Sequence, residues 1–67
     1  MKEKELSPHY KKLKIEPLTY IVENNLGFIE GNIIKYVSRY KFKEGKYDLL
    51  KAKEYLEKLI ELQDDKI

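Results

Sequence analysis

Apolar residues recur along the chain at helical rather than alternating spacing. Leu18, Ile21 and Val22 fall at i, i+3 and i+4, the spacing of one helix face. Glu16-Pro17 precedes them. Proline suits the first helical position, where its missing N–H would have no partner anyway. A first helix is predicted over about 17–25, ended by Asn24-Asn25-Leu26-Gly27 with Asn25 or Gly27 able to take a left-handed cap. A second helix is predicted over about 28–40. Advancing ~100° per residue from Phe28 spreads Ile29, Ile33, Tyr36, Val37 and Tyr40 over one broad face. Asn32, Lys35 and Arg39 collect on another stripe, and Gly31 and Ser38 on a third. A third helix is predicted over about 47–63, where Leu49, Ala52, Leu56, Leu59, Ile60 and Gln63 keep the 3.6 period, with Tyr55 and Leu62 widening the face.

No alternating stretch is long enough for a strand. The fold class expected is therefore all-α: a small three-helix domain over 8–63 with an irregular N-terminal arm over 8–15. Flexible tails are expected at 1–7 and 64–67, as at most chain ends. Lys41 to Lys46 forms the second connection, with Gly45 as its turn residue. Gly31 has two readings. A glycine inside a helix costs about 1 kcal/mol relative to alanine. Either another backbone or a ligand comes close there, or Gly31 marks a frayed first turn.

Length sets further bounds. With 67 residues and no cysteine, the chain holds one domain and has neither a disulfide framework nor a thiolate metal site. A domain this small is marginal alone. Small scaffolds are usually stapled by a disulfide, a metal or a partner. His9 is the sole histidine, so oligomerisation is the staple expected. No apolar run is long enough for a membrane span, and the charged start Met1-Lys2-Glu3-Lys4-Glu5 does not read as a signal peptide. No membrane partner is expected.

The net charge of +2 is too small to argue for DNA, so nucleic acid is not the expected partner. Its distribution is more informative. Lys35, Arg39, Lys41, Lys43 and Lys46 face a single carboxylate, Glu44, a local balance of +4. This is either an anion site or the ordinary enrichment of cations at a helix C-terminus. Lysine offers phosphate a point charge and arginine a planar fork. Asn32 can donate and accept, and Tyr36, Tyr40, Tyr47 and Tyr55 lie close in sequence. Tyrosine can stack on a base with its hydroxyl wet. The alternative is that these tyrosines simply edge the core. No catalytic residue is singled out: His9 with Ser7 or Ser38 has nothing to orient it. The carboxylates show no metal-ligand spacing, and Gly27, Gly31 and Gly45 lie too far apart for a phosphate loop. No metal or cofactor is expected.

Several strings occur together: Pro8-His9-Tyr10, Ile15-Glu16-Pro17, Phe28-x-x-Gly31-Asn32-x-Ile34-Lys35-Tyr36-x-x-Arg39-Tyr40, and Lys43-x-Gly45-x-x-Asp48-Leu49-x-Lys51-Ala52-x-x-Tyr55-Leu56. Together they resemble a small bacteriophage family first catalogued as a domain of unknown function. That family is similar to a conserved segment in the nucleotide kinase of a T-odd coliphage. The resemblance covers about residues 8–60. It implies a phage-encoded, helical, oligomeric protein of the host cell cytoplasm that binds nucleotides. It also implies that Asn32, Lys35, Arg39 and Asp48 face the ligand, with His9 and Tyr10 closing over it. Tyr36, Tyr40 or Tyr55 would stack, and Lys43 and Lys51 would complete the binding set. The coliphage kinase is much longer than this chain, so binding without turnover is expected here. In size, basic pocket and dependence on assembly the chain is also similar to very small phage proteins that sequester nucleotide immune signals, such as cyclic ADP-ribose species or cyclic dinucleotides. The function expected is that of an anti-defence sponge. The alternatives are a small kinase for deoxynucleoside monophosphates and a DNA-associated accessory protein.

Overall fold

The structure, a computed structural model, describes residues 13–63. Its elements are α1 (Pro17–Glu23), α2 (Phe28–Arg39), a 3-10 turn (Tyr40–Phe42) and α3 (Lys46–Glu61). Among the described residues there is no strand, and the fold is all-α as the periodicity predicts. α2 packs against both α1 and α3. The expected tails at 1–7 and 64–67 lie outside the described residues, as does most of the expected arm.

Each boundary has a local cause. Pro17 opens α1. Its C-terminus closes as a Schellman pair: Leu26 N–H donates to the Ile21 carbonyl at 3.0 Å and Asn25 N–H to the Val22 carbonyl at 3.1 Å. That geometry needs a left-handed residue, and Asn25 supplies it at φ 55°. Gly27 is extended at φ −79°, so of the two cap residues expected it is Asn25 that turns the chain. The helix ends at Glu23 because the cap begins there.

The next two helices start alike. Gly27 precedes α2, and its N–H donates to the Glu30 carboxylate at 2.6 Å. Gly45 precedes α3, and three residues on Asp48 reaches back to accept the Glu44 N–H at 3.0 Å. In both cases an acidic side chain in the first turn satisfies an N–H that no helical carbonyl can reach. α2 stops one residue short of Tyr40, where the chain tightens into the 3-10 turn and the Tyr40 carbonyl accepts the Gly45 N–H at 3.0 Å.

At Gly31 the structure excludes a frayed turn, and the close neighbour is a side chain of α1 and not the backbone or ligand expected. Gly31 is buried, and a Cβ there would lie 3.1 Å from Ile21 Cγ2. The missing side chain lets α1 approach α2. Gly45 is required for a different reason. Its backbone lies at φ 56°, ψ −128°, a region that L-residues avoid, although a Cβ there would meet nothing within 4 Å.

Two substitutions separate these causes. Gly31→Val should destabilise by about 2 kcal/mol through overpacking, and Ile21→Ala in the same chain should recover part of that loss in urea titrations. At position 45, L-alanine should cost about 1–2 kcal/mol. D-alanine placed there by chemical synthesis should cost nothing, because the strain is one of handedness and not of space.

Candidate functional site

The site grows from one ion pair. Arg39 is the last residue of α2, and Asp48 sits in the first turn of α3. Arg39 donates from both Nε and a terminal nitrogen to Asp48 Oδ1, at 3.1 and 3.0 Å. The other carboxylate oxygen takes the Glu44 N–H. Asp48 is completely buried, whereas the Arg39 side chain is 17% exposed. Burial pushes the Asp48 carboxyl up. The Arg39 hydrogen bonds, the Glu44 N–H and the charges of Arg39 and Lys43 outweigh that push and hold it below its ordinary value of 3.8. Among the described residues no buried side-chain nitrogen or oxygen lacks a partner.

Arg39 also fixes an aromatic ladder. Its guanidinium carbon lies 4.8 Å from the Tyr36 ring centroid, and Lys35 Nζ lies 4.7 Å from the same ring. Tyr36 stacks on Tyr55 of α3 with centroids 6.0 Å apart and planes 20° from parallel. Phe28, at the start of α2, meets Tyr55 edge-on at 6.2 Å and 72°. Phe28 itself is 77% exposed. Lys51, one turn before Tyr55, pairs with Glu54 at 3.3 Å. The hydrogen bond and the charge of Glu54 raise its pKa, and the Tyr47 and Tyr36 hydroxyls add to the effect. The ladder thus lies among Lys35, Arg39 and Lys51, and the approach of Lys35 and Arg39 to the Tyr36 ring favours it further.

The structure therefore brings together six of the residues singled out in the sequence: Lys35, Tyr36, Arg39, Asp48, Lys51 and Tyr55. Others are placed differently. Asn32 donates its amide to its own helix, at the Phe28 carbonyl, 2.8 Å away. Asp48 turns inward and holds Arg39. Tyr40 is half-buried in the 3-10 turn. Lys43 lies on the exposed loop, where its charge still reaches Asp48. His9 and Tyr10 fall outside the described residues. Tyr47, one of the four tyrosines close in sequence to the cations, is 57% exposed and near Lys51 and joins this face. The sequence motifs place Arg39 and Asp48 toward a ligand, whereas the structure pairs them with each other. Two sequence features carry that pairing: an acid three residues after a glycine that opens a helix, and an arginine in the last turn of the helix before.

Removing one partner of a buried pair strands the other charge. Asp48→Asn should therefore cost about 3 kcal/mol, near the lower end for such pairs because Arg39 keeps an exposed edge. The pH dependence has a definite sign. A depressed carboxyl stabilises fully above its unfolded value and loses that contribution as pH falls through the lower folded value. Thermal melts from neutral pH downward should show the gap between wild type and Asp48→Asn narrowing below pH about 4.

Among the described residues no helix is long and apolar enough to cross a membrane, and no group of three or more His, Cys, Asp or Glu side chains is placed to hold a metal ion. No curated protein and no solved structure matches the chain. A family profile described as a protein of unknown function, DUF3310, matches residues 4–57. That match spans both halves of the site, from Lys35 and Arg39 on α2 to Asp48, Lys51 and Tyr55 on α3, and the chain belongs to the DUF3310 family.

Proposed function

We propose that the chain binds a phosphorylated nucleotide over the Tyr36 ladder and holds it without turning it over. The observation that carries this reading is the meeting of two chemistries on one face. Lys35 lies 4.7 Å from the Tyr36 ring, which is stacked on Tyr55, which in turn meets the exposed ring of Phe28. A nucleotide offers a flat base at one end and a phosphate at the other. Base–aromatic stacking is sequence-tolerant and contributes about 1–3 kcal/mol per base. Lys35 and Lys51 would supply point charges for the phosphate. Arg39 would add to the positive field, and Asp48 would act as a positioning residue that sets the guanidinium.

Capture is favoured over phosphoryl transfer. A kinase must position an acceptor, a donor phosphate and its bridging metal in line. The one buried carboxylate at this site already uses both oxygens, on Arg39 and on Glu44 N–H. A capture protein needs preorganised cations and aromatic faces and no general base. With the phage resemblance of its motifs, the chain fits a protein that sequesters a nucleotide immune signal of the cyclic ADP-ribose or cyclic dinucleotide kind in the host cytoplasm.

Calorimetry of the full chain against cyclic ADP-ribose isomers, cyclic dinucleotides and mononucleotides tests this. At least one ligand should bind with micromolar or lower Kd. Lys35→Ala and Lys51→Ala should each weaken it about tenfold, equivalent to ~1.4 kcal/mol. Uniform failure to bind below millimolar concentration would remove the reading. Preference for duplex DNA with a steep salt dependence would replace it with nucleic-acid binding.

A further inference from the structure

The fold leaves α3 with an apolar stripe that the chain's described residues cover only in part. Leu49, Leu56 and Ile60 are 39%, 46% and 63% exposed. Spaced at i, i+7 and i+11, they line up along one flank of the helix. The buried apolar side chains among the described residues are Pro17 and Ala52, so the monomer has little core to hold it together. This flank is not the ligand face. With Asp48 and Ala52 as the line facing α2, the stripe lies to one side of it and Lys51 and Tyr47 lie to the other.

The charges beside the stripe say what covers it. On its outer border they run Lys46, Lys53, Glu57, Glu61 from the start of α3 to its end. The sign reverses about the helix midpoint. Such a helix is its own complement when a second copy lies antiparallel, and sets like charge on like when the copy lies parallel.

We infer that the α3 flank of Leu49, Leu56 and Ile60 is the interface with a second copy of this chain, paired antiparallel about a two-fold axis. An axis crossing near residues 54–55 sets Leu49 opposite Ile60 of the other copy and Leu56 opposite the aliphatic stem of its Lys53. Lys53 then comes within a helical turn of Glu57 across the interface, and Lys46 within a turn of Glu61. The pairings these side chains make inside one helix, Lys53–Glu57 at 3.7 Å and Lys58–Glu61 at 3.3 Å, are exposed. Such pairs contribute little by themselves, so their re-pairing across an interface meets little opposition. Antiparallel helices also oppose their macrodipoles favourably. The inference stands independently of nucleotide binding, which uses the other flank.

Sedimentation equilibrium of the full chain over a range of concentrations tests it, with helicity by circular dichroism as the check on folding. The wild type should associate reversibly to a dimer and no further. Lys53→Glu sets acid against acid across the interface and should weaken the dimer at least tenfold. Adding Glu57→Lys to that variant should restore the affinity to within about threefold of wild type. Ile60→Glu, at an exposed position, should leave helicity intact and abolish the dimer. A chain monomeric up to millimolar concentration, growth beyond two copies, an unaltered dimer in Lys53→Glu or failure of the rescue would each overturn it. Nucleotide affinity measured on Ile60→Glu should match wild type, so loss of the dimer is separable from loss of the ligand site.

Discussion

The carboxylate of Asp48 is the constraint on which the rest of the molecule turns. It accepts three hydrogen bonds from two directions: two from Arg39 at the end of α2 and one from the Glu44 N–H at the start of α3. A buried ion pair is weak support for net stability, because desolvation offsets much of the attraction. It is strong support for geometry, since any other register of α3 on α2 would bury an unpaired charge. In a domain whose buried apolar side chains among the described residues are Pro17 and Ala52, that penalty against alternatives adds to side-chain burial in fixing the helix pair.

The same pair sets up the candidate site. Arg39, held from one side by Asp48, presents its guanidinium to Tyr36, and Tyr36 carries the stack through Tyr55 to Phe28. The ladder crosses from α2 to α3 and back, so its alignment depends on the register that Asp48 enforces. Structural anchor and candidate binding surface are thus one network. Asp48 acts within it by placing Arg39, with no exposed surface of its own for a ligand to touch.

α3 serves several surfaces at once. One line of it, through Asp48 and Ala52, closes on α2. The flank with Lys51 and Tyr47 borders the ladder, and the flank with Leu49, Leu56 and Ile60 is apolar and open. A chain too short to bury all of its apolar surface internally leaves some of it on the outside. Here such surface is spread over all three helices, and the part on the Leu49, Leu56 and Ile60 flank is bordered by charges whose order suits a second copy.

Local chemistry was legible in the sequence because its causes are local. The 3.6-residue spacing of Leu18, Ile21 and Val22 and of Leu49 through Ile60 specified helices. Pro17, Asn25 and Gly45 marked their ends through backbone preferences that need no tertiary partner. The cations and tyrosines of 35–55 were visible as a cluster of types. What composition and periodicity could not assign was direction. Asn32, Lys35 and Arg39 share a helical stripe, yet Asn32 bonds to its own backbone, Lys35 lies against Tyr36 and Arg39 enters a buried pair. Only the packing of α3 on α2 decided that Asp48 turns inward and that Gly31 makes room for Ile21. Side-chain roles of this kind are set by which surfaces meet, and residues nine or ten positions apart reveal that only once the chain has folded back on itself.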